Sequence, residues 1–254
     1  MGLSTPQSET ASASTVAQAA AQTKVPWSSR INYWFEHHWL ATFNTAWGLF
    51  VMLPWLAPIF MHVGLTGPGR VVYFIYNFFC HQLPERSWFL FGPEFSYTPF
   101  QIAQAWGYPL AEISNELIRR QFIGTPELGW KVAWSDRMIA MYGSIFLFGL
   151  IYALVRERGG QVRGLSWQLL LLLIFPMAVD GTTHLINDAL RLDFRQTNEW
   201  AIILTRNALP AAFYAGDMFG SFNSVLRLAT GLLFGFGIVG FLWPIMNDEF
   251  SPNR

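Results

Sequence analysis

Four stretches of this 254-residue chain are apolar over close to the roughly 20 residues that carry a helix across a hydrocarbon core, which leaves few folds open. They run near residues 39–61, 138–155, 165–185 and 225–246. Backbone in hydrocarbon has no water to bond to, so spanning segments of this length must close their hydrogen bonds within helices. The expected fold class is all-α: a polytopic transmembrane helix bundle of about four full spans. Composition agrees, with 52% hydrophobic and only 13% charged residues against roughly 25% charged in soluble domains.

A fifth apolar piece, residues 71–91, is interrupted by His81-Gln82-Leu83-Pro84-Glu85-Arg86-Ser87. About ten apolar residues on each side of a polar break is too short for two spans and suits a re-entrant or interfacial hairpin, with one extra crossing as the alternative. Residues 1–29 are rich in Ala, Ser, Thr and Gln without an apolar run and read as a flexible polar tail; residues 30–247 read as one membrane domain and 248–254 as a short C-terminal tail. Pro54 and Pro58 are expected to bend the first span, and Gly231 and Gly235 to present a small-residue seam on the last. In the connection 92–137, Leu110, Ile113 and Leu117 fit one face of a short amphipathic helix.

Arg156, Arg158 and Arg163 crowd the short loop between the second and third spans, which the positive-inside rule places in the cytoplasm. If residues 71–91 do not cross, both termini are then cytoplasmic, and the longer connections 92–137 and 186–224 lie outside, at the cell membrane's outer face. The formal net charge is zero and no basic patch suited to a phosphate backbone is visible, so nucleic acid is not an expected partner; membrane lipids and a membrane-protein partner are. A single cysteine, Cys80, excludes an intramolecular disulfide.

Charged and ligating residues beside hydrocarbon are costly and usually pair or serve a function. With the topology above, Cys80, His81, Gln82, Arg86, Arg137, Asp180, His184 and Arg227 gather at the outer side. Asp180 and His184 are one helical turn apart and share a face. The bland reading is a hydrogen-bonded cluster that locks the bundle, with the arginines paired to Asp136, Asp180 and Glu85. A sharper one has Arg86, Arg137 and Arg227 gripping a lipid headgroup phosphate through bidentate contacts. A third has Cys80 as a nucleophile beside His81, His184 and Asp180, although no cysteine-hydrolase signature accompanies it. Adjacent His37 and His38 beside Trp39 fit an interfacial anchor better than haem ligation, because neighbours in sequence do not share a helix face.

Several motifs in order carry a resemblance. Cys-His-Gln-Leu-Pro-Glu-Arg-Ser at 80–87, Arg137 with Tyr142 opening a span, Pro176-Met-Ala-Val-Asp180-Gly181, and Asn223-Ser-Val-Leu-Arg227-Leu-Ala-Thr-Gly231 before a glycine-rich span resemble DUF2085, a family of uncharacterised prokaryotic integral membrane proteins, over most of residues 70–246. The resemblance implies no activity. Related sequences carry Cys-Ala-Arg-Cys where this chain has Ser135-Asp136-Arg137-Met138, and residues 188–222 look like an enlarged connection. With those cysteines absent, the candidate metal set is Cys80, His81, Asp180 and His184, a mixed S/N/O group of the kind that holds zinc. Two function classes follow: an accessory or structural membrane protein, or a membrane-embedded enzyme or metal-dependent protein acting on a lipid headgroup.

Overall fold

The computed structural model describes residues 26–250. In chain order, α1 (Trp27–His62) and α2 (Thr66–Tyr76) precede a 3-10 turn (Pro84–Arg86) and β1 (Ser87–Leu90). Next come α3 (Pro99–Trp106), α4 (Leu110–Ile113), α5 (Glu116–Arg119), β2 (Gly124–Thr125) and β3 (Gly129–Ser135). Then follow α6 (Asp136–Glu157), α7 (Trp167–Ala189), α8 (Phe194–Thr197), α9 (Glu199–Leu204), α10 (Ala211–Tyr214) and α11 (Phe222–Phe250). Four of these, α1, α6, α7 and α11, are long and apolar enough to cross a membrane. The fold is a helical transmembrane bundle, as the hydropathy requires, with a small sheet added to it.

The residues fall into two compact units, Met1–Trp39 and Leu40–Arg254. In the first unit, residues 1–25 of the expected tail lie outside the described residues, while Trp27, Ser28 and Ser29 are already helical. His37 Nδ1 donates to Tyr33 O at 2.7 Å and His38 Nδ1 to Trp34 O at 2.9 Å, each one turn back along the helix. Tyr33 lies against the ring of His37 and Trp34 stacks on that of His38.

The second unit holds the bundle. Gly231 and Gly235 form the expected seam: a Cβ on Gly231 would meet Ala140 at 2.7 Å, and one on Gly235 would meet Ser144 Cβ at 2.7 Å and the backbone nitrogen of Ile145 at 2.8 Å. Side chains here would have to push backbones apart, so α6 and α11 run parallel in close contact, and Ser144 Oγ donates to Gly231 O at 3.0 Å across the seam. The part of α1 from Leu40 onward runs the other way along α6 through Asn44 Nδ2 to Gly149 O (3.1 Å) and Trp47 Nε1 to Tyr142 O (3.0 Å). Pro54 and Pro58 lie inside α1 without ending it, and α11 continues to Phe250, so Asp248 to Phe250 belong to the helix rather than to a tail.

Residues 71–91 depart from the expected hairpin. They form most of α2, an irregular stretch and an edge strand, and none of this is a crossing-length helix. α2 is apolar on both sides: Val72, Tyr73 and Tyr76 are buried, whereas Val71, Phe74 and Ile75 face outward. β1 pairs with β3 (Phe89 with Lys131, Leu90 with Trp130), and β2 pairs with β3 on its other side, giving the antiparallel order β1-β3-β2. A sheet was not legible in advance because β3 is buried at almost every position, so Trp130-Lys-Val-Ala-Trp134 lacks the alternation that marks a half-exposed strand. Gly129 closes the β2–β3 turn with φ +77°, where a Cβ would collide with the backbone of Phe91 and Gly92.

The connection 92–137 is therefore a packed cap rather than a loop. Thr98 and Gln101 form a reciprocal capping box that starts α3, and Gly107 ends it in the left-handed region. The expected amphipathic helix breaks in two. Asn115 accepts the Leu117 amide and caps a new turn, so Ile113 is fully buried while Leu110 and Leu117 are exposed.

Candidate functional site

α7 carries Asp180, His184, Asn187 and Asp188 at spacings that keep them on adjoining parts of one face, and all but Asp188 are buried. Asp180 Oδ2 accepts from Arg137 Nη2 at 2.8 Å, and its Oδ1 accepts from Arg195. Arg195 is delivered by α8, where Asn187 Oδ1 accepts its backbone N–H at 3.1 Å and Asn223 Nδ2 donates to its carbonyl at 2.5 Å. Asn187 Nδ2 donates to Asp188 at 3.2 Å, and Asp188 accepts from Arg86 Nη1 at 3.1 Å. Arg86 also donates from Nε to Asp217 Oδ2 at 3.0 Å. Asp217 Oδ1 accepts Arg227 Nη1 at 2.7 Å, and Arg227 holds Asp136 in a bidentate pair at 2.7 and 2.9 Å. Asp136 Oδ1 caps the backbone N–H of Arg137 at 2.8 Å, which returns the chain of bonds to Asp180.

The result is a closed ring in which Arg86, Arg137, Arg195 and Arg227 are matched by Asp136, Asp180, Asp188 and Asp217. It joins the start of α6, the cap-side part of α7, the start of α11, the 3-10 turn and the connection 190–221. Burial alone would push the Asp217 carboxyl up, but Arg86 and Arg227 overrule it and hold it well below the usual carboxylate range. Arg86 is pulled down by burial and lifted further by Asp217 and Asp188, so it stays charged. Glu85 is held apart from the ring by a two-pronged contact from Arg119 Nε at 3.0 and 3.1 Å. A cavity of about 840 Å³ opens beside the ring, with Glu85, Glu116, Asp188 and Asp217 in its wall.

Of the residues expected to cluster, Arg86, Arg137, Asp180, His184 and Arg227 come together in this ring. Cys80, His81 and Gln82 do not join it. Cys80 is buried and its Sγ donates to Ser135 Oγ at 3.5 Å, Gln82 Nε2 donates to Tyr73 O at 2.8 Å, and His81 is exposed. Among the described residues no three His, Cys, Asp or Glu side chains are grouped so as to hold a metal ion, and Cys80, His81, Asp180 and His184 keep the separate surroundings just given. The same separation leaves Cys80 without Asp180 or His184 as a base. Sequence reasoning missed Asp188, Arg195 and Asp217 as members of the ring. Only Asp188 left a trace, since it continues the one-turn spacing of Asp180 and His184 along α7.

Residues 127–241 match the sequence profile of DUF2085, described as a predicted membrane protein. DUF2085 is thus the family that this segment is similar to. The segment includes Asp136, Arg137, Asp180, Arg195, Asp217 and Arg227, so most of the ring lies within the matched stretch, whereas Cys80 to Ser87 precede it. An uncharacterised protein of Methanocaldococcus jannaschii is 25% identical over 202 residues, which cover 78% of this chain and 85% of the relative. No solved structure matches. The departure at Ser135 has a structural counterpart: where the DUF2085 resemblance implies a cysteine, this chain places the hydroxyl that accepts from Cys80.

Beside Cys80 sits a second buried polar group, Lys131, at the centre of β3. Its Nζ donates to Gln82 O at 2.6 Å and Arg120 O at 2.9 Å, tying the Cys80–Ser87 stretch and the end of α5 to the sheet. Burial pulls the ammonium down to about 7, against nearby Cys80 and Glu85, which favour the charge. A neutral amine retains two donors, enough for both carbonyls. An unfolded lysine titrates near 10.4. Between about 7 and 10.4 the unfolded chain therefore binds the extra proton and stability rises with pH, while below about 7 this contribution is flat. Melting temperatures of the detergent-solubilised protein should climb from pH 7 to 9.5, and Lys131→Met should remove that part of the slope; an unchanged slope in the variant would mean that Lys131 is not the titrating group.

Proposed function

We propose that this membrane protein is of accessory or structural type, and that its His/Asp/Arg ring locks the extramembrane cap onto the ends of the spans at the outer face of the cell membrane. The observation that carries this reading is the reach of the ring, which bonds side chains from α6, α7, α8, α11, the Arg86 turn and the Asp217 segment to one another. Such a network has two consequences: it fixes how the helices meet, and it presents the cap as a rigid surface to a partner or to lipid. The enzymatic alternative through Cys80, His81, Asp180 and His184 has less support, since a nucleophile needs its base within hydrogen-bond reach.

The outer placement rests on the arginines of the loop between α6 and α7. Arginines are numerous on the other side too, but Arg86, Arg119, Arg137, Arg195 and Arg227 are matched there by carboxylates. Cys80 is buried and so is a poor reporter of sidedness. Introduced cysteines serve better: Glu127→Cys in the exposed cap turn should react with a membrane-impermeant maleimide in intact cells, and Gln161→Cys only after permeabilisation. The opposite pattern would invert the protein. Native purification followed by mass spectrometry tests the accessory role itself. A stoichiometric co-purifying membrane protein supports it, and a turnover-dependent change in a headgroup substrate would replace it with the enzymatic reading.

A further inference from the structure

The four arginines of the ring are not equally occupied. Arg86 donates from Nε, Nη1 and Nη2 to Asp188 and Asp217, and Arg227 donates from all three nitrogens to Asp136 and Asp217. Arg137 and Arg195 each spend a single nitrogen, Nη2, and they spend it on opposite oxygens of the same carboxylate, Asp180. Among the described residues the Nε groups of both are buried without a hydrogen-bond partner. The third side chain at this point, His184, is only 3% exposed. Its Nε2 lies 2.8 Å from Arg195 Nη2, and because a guanidinium only donates, Nε2 must accept and the proton sits on Nδ1, which is also buried and unpartnered.

Two guanidiniums thus share one carboxylate, with a neutral imidazole beside them, so this corner of the ring carries more positive than negative charge and more donors than acceptors. The chemistry of what is wanting is specific: an acceptor with several oxygens and at least one negative charge. Burial pulls Arg195 down, and the lift from Asp180 and, less strongly, Asp217 does not make up the difference, the reverse of the outcome at Arg86. Arg137 gives access, because its side chain keeps 19% exposure while Asp180 and Arg195 keep 4% each. The corner also lies where a span begins, at the first turn of α6, which is the depth of headgroup phosphates.

We propose that Arg137 and Arg195, held apart by Asp180, form a binding site for a phosphate-type oxyanion, supplied either by a phospholipid headgroup or by free phosphate. Planar guanidiniums suit this class because each can present paired N–H groups to a tetrahedral anion. Arg86 and Arg227, whose guanidinium nitrogens are all engaged, are the locking residues and take no part. The site therefore goes beyond the locking role, and the two fail separately: the lock is read from the stability of Arg227 variants without phosphate, the site from the response to phosphate.

The test uses the full chain, purified in phosphate-free detergent and, in parallel, reconstituted in nanodiscs of phosphatidylcholine with or without phosphatidylglycerol. Inorganic phosphate, compared with chloride at equal ionic strength, should raise the melting temperature, and Arg137→Gln should weaken this response about tenfold or more, the loss expected for one charge-assisted contact. Arg137→Gln leaves Asp180 paired with Arg195, so the variant keeps a counter-charge. Arg158→Gln, in the exposed loop on the other side of the bundle, should respond as the wild type does. A lipid source would show instead as phosphatidylglycerol retained through delipidation and lost in Arg137→Gln. In the wild type, phosphate or phosphatidylglycerol should slow phenylglyoxal modification of Arg137 but not of Arg158, a readout that needs no variant. Equal modification rates with and without both ligands, or the same phosphate response in Arg137→Gln as in the wild type, would overturn the site.

Discussion

Asp180→Asn is expected to be among the most damaging single substitutions in this protein, costing roughly 3–5 kcal/mol. The change is nearly isosteric, so the loss comes from charge alone: Arg137 and Arg195 both depend on this carboxylate, and the amide offers one weak acceptor in its place. Buried charge left without its counter-ion at the edge of hydrocarbon is where the cost arises. A second substitution that removes one stranded guanidinium should then restore part of the loss. Arg195→Gln should restore most, because Arg195 is the more deeply buried of the two. Arg227→Gln should restore nothing, since Arg227 bonds Asp136 and Asp217 rather than Asp180. Unfolding in mixed micelles, measured for the singles and doubles, gives the coupling energies. Strictly additive losses for Asp180 with Arg195 would show that the two do not meet.

Arg227→Met should be comparably severe, again roughly 3–5 kcal/mol, through a different set of partners. Arg227 spends four hydrogen bonds in tying α11 to Asp136 at the head of α6 and to the side chain and backbone of Asp217. Methionine matches the length of the aliphatic stem but leaves Asp136 with only the Arg137 backbone N–H. Arg227→Lys separates charge from geometry: it keeps the cation and loses the fork that spans both oxygens of Asp136, so it should recover only part of the loss. The seam of Gly231 and Gly235 lies one and two turns along α11 from this residue, so loosening the ion pairs should also loosen α6 from α11. A methionine variant as stable as the wild type would remove the ring from any account of how the bundle holds together.

What the sequence determined by itself was whatever depends on runs of neighbouring residues. The length of each apolar stretch dictated four spans, because hydrocarbon thickness sets a fixed minimum that local composition either meets or misses. The Gly231/Gly235 spacing foretold a close helix contact, since small residues one turn apart necessarily share a face. Asp180 and His184 were legible as a pair for the same reason. Tertiary structure decided the partners. Asp180 could be placed near an arginine, but its choice of Arg137 and Arg195, and Arg227's choice of Asp136 and Asp217, depend on how 190–221 folds back through Asn187, Asn198 and Asn223, which no local pattern encodes. The sheet was hidden because β3 is buried at almost every position, and that burial is conferred by side chains of α1 and α2 packed against it rather than by its own alternation. Cys80 and His81, adjacent in sequence and read together, were parted by the fold: one was drawn under the sheet against Ser135 and the other left at the surface. Adjacent side chains in irregular backbone point apart, and only the packing of the rest of the chain determines which of them is covered.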